Sequence, residues 1–156
     1  LTTRQVGEIV ESIYGKSYTA NQVSQINKEL YKELEDWRNR PLDNHYLVVY
    51  IDAIHVKMRR EKVSSEAFYI VLGLNEEYKR EVIVVMSIPT ESASGWADAL
   101  NQIKHRGVNR IDLIVADGLT GLDKAMAKIF PQILFQRCVV HFKRNVLNHV
   151  KSMHKS

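Results

Sequence analysis

Two short strand-like runs in this sequence each close on an aspartate. YLVVYI at residues 46–51 leads into Asp52, and IDLIV at residues 111–115 leads into Ala116-Asp117-Gly118. The first run is apolar throughout and the second is apolar apart from Asp112. Runs of this length and composition suit strands covered on both faces, as in the parallel part of an α/β sheet. A chain holding two of them has to supply helices to cover the sheet between them.

The pattern along the chain changes near Pro41. Before it the period is helical. Val6, Ile9, Val10, Ile13 and Tyr14 share one face of a short helix that Gly15 stops. A second helix opens at Thr19 with Gln22 as its capping-box partner, and carries the stripe Val23, Ile26, Leu30, Leu34 and Trp37 to an end near Asn39. Two helices joined by a short turn, the second presenting Asn21, Gln22, Ser24, Gln25 and Lys28, resemble part of a helix-turn-helix. Amide side chains match adenine edges, and lysine matches phosphate or guanine. A plain helical hairpin with a solvated polar face fits the same pattern, and both readings stand at this point.

After Pro41 the period shortens. Residues 46–51, 67–74 and 82–88 read as strands, the last two joined by a polar turn at 75–79 and the first two by a charged turn at 59–65. A helix follows, capped by Ser92 or Ser94, burying Trp96, Leu100 and Ile103 and ended by Gly107. Residues 111–115 form a fourth strand, 121–130 a helix stopped by Pro131, and 133–135 a fifth strand; from Val140 the pattern is helical again. The order β-β-β-α-β-α-β-α is that of a ribonuclease H-like fold. It implies an α/β architecture with a mixed sheet: three antiparallel strands, then parallel additions through right-handed crossovers, with the first and fourth strands parallel neighbours. The expected organisation is a helical, helix-turn-helix-like segment over residues 1–42 and an incomplete ribonuclease H-like catalytic domain over residues 43–156.

If the first and fourth strands are neighbours, Asp52 and Asp117 emerge at one sheet edge, with their strands ~4.8 Å apart. That edge is the carboxyl end of the parallel pair, where open α/β sheets build their sites. Two carboxylates so close and partly buried need a positive partner, and their hard oxygens suit Mg²⁺ or Mn²⁺. A pair of such ions ~3.5–4 Å apart can activate a water or a 3′-hydroxyl and stabilise the leaving oxygen of a phosphodiester. Singly, each aspartate is an ordinary turn residue, and Asp117-Gly118 is a common hairpin dipeptide. The helical pattern after Gly118 speaks against a hairpin.

The bulk numbers allow this chemistry. The chain has 156 residues, 45% hydrophobic and 26% charged, which is a globular composition. A net charge of +4 permits a nucleic-acid partner without demanding one. Cys138 is the only cysteine, which excludes an internal disulfide framework and suits a reducing, cytoplasmic setting. No apolar run approaches the ~18 residues of a membrane span, and the first residues lack the apolar core of a signal peptide. A start on Leu1 and a polar, helix-like end lead us to expect a piece of a longer protein. After Gln136 the chain carries Arg137, Lys143, Arg144, Lys151 and Lys155 with no acidic residue, a pattern suited to phosphate contacts. Lys57, Arg59 and Arg60 stand close after Asp52 and suit the same role. Cys138 and His141 form a Cys-x-x-His pair that, with no second cysteine and with His149 and His154 at unremarkable spacing, falls short of a four-ligand zinc site. His55 reads as a surface or packing histidine.

Residues 46–59 (YLVVYIDAIHVKMR), with EDWRNRPLD upstream at 35–43, resemble the segment around the first catalytic aspartate of Mutator-type bacterial insertion-sequence transposases, members of the DDE superfamily. Residues 111–126 (IDLIVADGLTGLDKAM) resemble the segment around their second, and residues 137–145 (RCVVHFKRN) are similar to their Cys-x-x-His element and the basic helix after it. The three segments lie in the right order and cover nearly the whole chain. The resemblance implies that Asp52 and Asp117 are the first two members of an Asp-Asp-Glu triad that binds Mg²⁺ or Mn²⁺. The family's glutamate lies on a later helix, after a largely helical insertion. No glutamate follows Glu91 here, so the chain is expected to lack the third acid, to bind metal weakly and to cleave DNA poorly by itself. The resemblance also implies that Cys138 and His141 order the sheet-to-helix turn near the site or touch DNA. The implied partners are transposon ends, target DNA and a second copy of the protein. A ribonuclease H-like nuclease or resolvase is an alternative. So is a non-catalytic DNA-binding protein in which residues 1–42 do the work.

Overall fold

Thr2 and Thr19 each open a helix in the same way. The threonine Oγ1 accepts from the backbone N–H of Gln5 or Gln22, and that glutamine's Oε1 accepts from the threonine's own N–H. The computed structural model describes residues 2–59, 63–88 and 91–150, without the side chains of residues 59 and 63–65. Its first helices are α1 (Thr3–Tyr14), closed by Gly15 in the left-handed conformation, and α2 (Ala20–Asn39). They belong to a compact unit that ends at Arg40, and the remainder, from Pro41, forms a second. In the first unit Ile13, Tyr14, Leu30 and Tyr31 are exposed. Among the described residues the large buried side chains are all in the second unit.

The second unit is a mixed α/β structure: β1 (His45–Arg59), β2 (Val63–Asn75), β3 (Arg80–Ser87), α3 (Ala93–His105), β4 (Arg110–Ala116), α4 (Leu122–Ile129), β5 (Leu134–Arg137) and α5 (Val139–His149). The five strands make one sheet in the order β3-β2-β1-β4-β5. β1 and β2, and β2 and β3, pair antiparallel, while β4 is parallel to both β1 and β5. The expected parallel neighbours, first and fourth strand, are therefore adjacent. Among the described residues no helix is long and apolar enough to cross a membrane.

Trp96, Leu100 and Ile103 of α3 and Leu122, Ala125 and Met126 of α4 share one core with Val49, Ile51, Val71, Ile83 and Ile114 of the sheet. The Tyr69 ring meets Trp96 edge-on, with centroids 4.8 Å apart and an interplanar angle of 79°, a favoured aromatic geometry. Gly73 makes room for Tyr46, since a Cβ there would lie 2.5 Å from the tyrosine ring.

Several boundaries differ from the sequence reading. β1 does not end before Asp52 but runs on to Arg59, and β2 starts at Val63 rather than Ala67, so much of the expected 59–65 turn is ladder. The reason is the period. Ile54, Val56 and Met58 alternate with His55, Lys57 and Arg59, an amphipathic strand pattern. β5 spans Leu134–Arg137 and is exposed throughout. β4 also holds a charge inside its apolar run. Asp112 accepts from Arg110 Nε at 2.7 Å and contacts His45 Nε2 at 3.0 Å, while His45 Nδ1 lies 2.8 Å from Glu76 Oε1. These contacts clasp the starts of β1 and β4 to the β2–β3 turn.

Candidate active site

The β1–β4 pairing brings the two aspartates together. Ile51 and Ala116 are register partners. The next residue on each strand is Asp52 or Asp117, so the carboxylates leave adjacent backbones at one edge of the sheet. Asp52 lies within β1, and Asp117 follows the last residue of β4. The two share a cleft of about 350 Å³ lined also by Ile51, Ala53, His55, Glu91, Gly118, Leu119 and His141.

The carboxylates are held alike. Asp52 Oδ1 accepts from the Ala53 N–H at 2.9 Å, and Asp117 Oδ1 accepts from the Gly118 N–H at 2.8 Å. Each bond fixes one oxygen against its own backbone, and the second oxygen has no hydrogen bond to the described residues. The expectation of partial burial needs correction for Asp52, whose side chain is 65% exposed. β1 continues past it, paired antiparallel with β2, and solvent reaches its carboxylate and screens the pair.

His141 Nε2 lies 3.8 Å from Asp52 Oδ1. Its Nδ1 is buried with no hydrogen-bond partner among the described residues. The helix carrying it is tied to the sheet edge by main chain: the Cys138 N–H donates to Ala116 O at 2.8 Å, and Cys138 O accepts from the Phe142 N–H at 2.9 Å. Cys138 is thus a free, half-buried thiol at the N-cap of α5. Among the described residues no group of three or more His, Cys, Asp and Glu side chains could hold a metal ion.

Glu91 and His55 are the cleft residues to which the sequence reading assigned no role. Glu91 Oε1 accepts from the Tyr69 hydroxyl at 2.7 Å, and Oε2 accepts from the Thr120 N–H at 2.9 Å. Burial first, and then the Glu91 carboxylate, hold the Tyr69 hydroxyl well above its ordinary range, so it stays a donor. No local pattern marks Glu91, because its partners are far from it in sequence. His55, three residues after Asp52 in β1, falls on the opposite face by simple strand alternation, so no local pattern marks it either.

Lys143 and Arg144 are exposed on α5, and Lys57 is exposed on β1. The Arg59 side chain, Arg60, Lys151, His154 and Lys155 lie outside the described residues. Asn21, Gln22, Gln25 and Lys28 are exposed on α2, in the other unit. Gln22 is spent on the Thr19 cap, and Gln25 Nε2 donates to Glu29 Oε1 at 3.0 Å.

Comparison with known proteins adds the following. The sequence model described as "Transposase, Mutator family" matches residues 1–156. The chain is 37% identical over 151 residues to the transposase for insertion sequence element IS1201 of Lactobacillus helveticus, covering 97% of this chain and 41% of that protein. It is 34% identical over 155 residues to the transposase for ISRM5 of Rhizobium meliloti, covering 99% and 39%. The chain thus spans about two fifths of the length of these curated relatives. Among solved structures it aligns with the Drosophila P element transposase strand transfer complex at a TM-score of 0.44 and 14% identity, over 92% of this chain and 47% of that one.

Proposed function

Because the chain belongs to the Mutator family of transposases, we propose that its second unit is the ribonuclease H-like part of a DDE transposase that cuts DNA at transposon ends and joins them to target DNA. The β3-β2-β1-β4-β5 sheet supports the fold reading. The observation that carries the function is the parallel β1–β4 pairing, which sets Asp52 and Asp117 on adjacent backbones in one cleft.

The donor set fits a hard divalent cation. Each aspartate keeps one oxygen free of hydrogen bonds to the described residues, and Mg²⁺ is commonly held by one or two carboxylates with water and phosphate oxygens completing its shell. Asp52 and Asp117 are the residues that would hold Mg²⁺ or Mn²⁺, which when bound would lower the pKa of a water or 3′-hydroxyl and offset charge on a phosphodiester. The chain's own residues do the rest. The Ala53 and Gly118 N–H groups orient the carboxylates. His141 borders Asp52, and the main-chain tie of Cys138 to Ala116 holds the start of α5 at the sheet edge. Lys143 and Arg144 would meet backbone phosphates, and Lys57 another part of the substrate. In the first unit Asn21 and Lys28 are the α2 side chains best free to touch DNA, given the engagement of Gln22 and Gln25. A dimer acting on two paired ends completes the reading.

No glutamate follows Glu91, and both oxygens of Glu91 are engaged. The isolated chain is therefore expected to bind the cation weakly and to cleave DNA poorly. Titration calorimetry with Mn²⁺ tests the site. Binding is expected in the parent and lost in both Asp52→Asn and Asp117→Asn, with thermal stability nearly unchanged. Binding that survives either substitution would mean that the two aspartates do not hold one cation together and would overturn this site.

A further inference from the structure

Glu91 lines the cleft with both aspartates, yet the arrangement above gives it no part in holding a cation. Its two hydrogen bonds join two different elements, β2 and the loop after β4. Tyr69 is 2% exposed, packs edge-on against Trp96, and is the β2 register partner of Ala53, the residue after Asp52. Thr120 belongs to the loop after β4 that begins at Asp117. That loop has its own close approach to the start of α3, where a Cβ on Gly121 would lie 2.5 Å from Ala93 N. One carboxylate therefore links the β1–β2 side of the cleft to the segment bearing the second aspartate.

We propose that Glu91 is a positioning residue. Its carboxylate clamps residues 117–120 to Tyr69 and so sets where Asp117 stands relative to Asp52, without itself touching the cation. This rests on the reading of the two aspartates as a cation site. A ligand role fits less well, because both Glu91 oxygens already accept hydrogen bonds and, among the described residues, no three acid, histidine or cysteine side chains could hold a metal ion. Hydrogen bonds to a charged acceptor are the stronger kind, which suits a clamp.

The clamp and ligand roles separate on replacement. Glutamine can still accept from the Thr120 N–H while its amide donates to the Tyr69 oxygen, so Glu91→Gln preserves a clamp but removes a charged ligand. Glu91→Ala removes both. The readouts are amide hydrogen exchange at Thr120, followed by NMR, and Mn²⁺ affinity by calorimetry, both on the full chain. In the parent, Thr120 should exchange more slowly than Gly118, whose N–H, among the described residues, is bonded only to the side chain before it. Glu91→Ala should speed Thr120 exchange by about tenfold or more and weaken Mn²⁺ binding, and Glu91→Gln should restore most of both. An unprotected Thr120 in the parent, or unchanged exchange in Glu91→Ala, overturns the clamp. So does a Glu91→Gln variant that keeps Thr120 protected but loses Mn²⁺ as fully as Glu91→Ala. If Glu91→Ala does not fold, the parent comparison and Glu91→Gln still decide the matter. If the parent binds no Mn²⁺, the cation reading fails, and Thr120 exchange decides the clamp by itself.

Discussion

Gly121 shows how far a single residue controls the cleft. It stands at the N-cap of α4 with φ at 82°, in the left-handed region, and its Cα faces Ala93 N so closely that a Cβ would sit 2.5 Å away. Gly121→Ala meets both backbone strain and a collision with main chain, which cannot swing aside as a side chain can. The substitution is expected to cost about 1–3 kcal/mol in denaturant unfolding and to shift the amide resonances of Asp117 and Gly118, since the loop must move off α3. A variant as stable as the parent would mean that the approach relaxes freely. Asp52 and Asp117 were legible as residues because each ends an apolar run. Glu91 was not, because a glutamate before a helix has many ordinary explanations and only the positions of Tyr69 and Thr120 single it out.

Among the elements, the sheet is held at the edge opposite the cleft by a charged clasp. His45 at the start of β1 contacts Glu76 in the β2–β3 turn and Asp112 in β4, and Arg110 bonds to Asp112. The hydrogen bond to Glu76, and after it that to Asp112, raise the His45 imidazole above its ordinary value of about 6.5, against the opposing effect of burial. Arg110 first, with His45 adding, lowers the Asp112 carboxyl. A histidine whose folded value is raised contributes stability that is fully present below its unfolded value and is lost as pH rises through the folded one. A carboxyl whose folded value is lowered contributes above its unfolded value of about 3.9 and loses that contribution as pH falls through the folded one. The clasp is therefore strongest between about pH 4 and 6.5. The difference in melting temperature between the parent and His45→Gln should be greatest in that window and shrink toward pH 8.5. A difference that is constant across that range would show that the clasp does not titrate. Helix limits and caps were readable because they are set within a few residues, as at Thr19 with Gln22 and at Ser92 with Gly95. The length of β1 was underestimated although its alternation is present in the sequence, because an aspartate after a buried run looks like an end and the partner that extends the strand is in β2.

At the scale of the whole molecule, the core belongs to the second unit, and Ile114 is at its centre, fully buried in the strand next to β1. Ile114→Ala should cost about 2–5 kcal/mol, seen as a lower urea midpoint with an unchanged slope when the fluorescence of buried Trp96 is followed. A small cost would show that the layers of α3 and α4 can settle onto the sheet when the side chain is removed. The periodicities, the capping boxes, the alternation of strands with helices and the two aspartates after apolar runs are properties of neighbouring residues, and the sequence by itself determined them. Which strands lie side by side is a different kind of fact. The pairing of Ile51 with Ala116, the meeting of Tyr69, Glu91 and Thr120, and the placing of His141 beside Asp52 join residues far apart along the chain. Only the tertiary structure decided these contacts, because they follow from how the whole sheet and its helices bury their apolar faces together, and no short window of sequence carries that information.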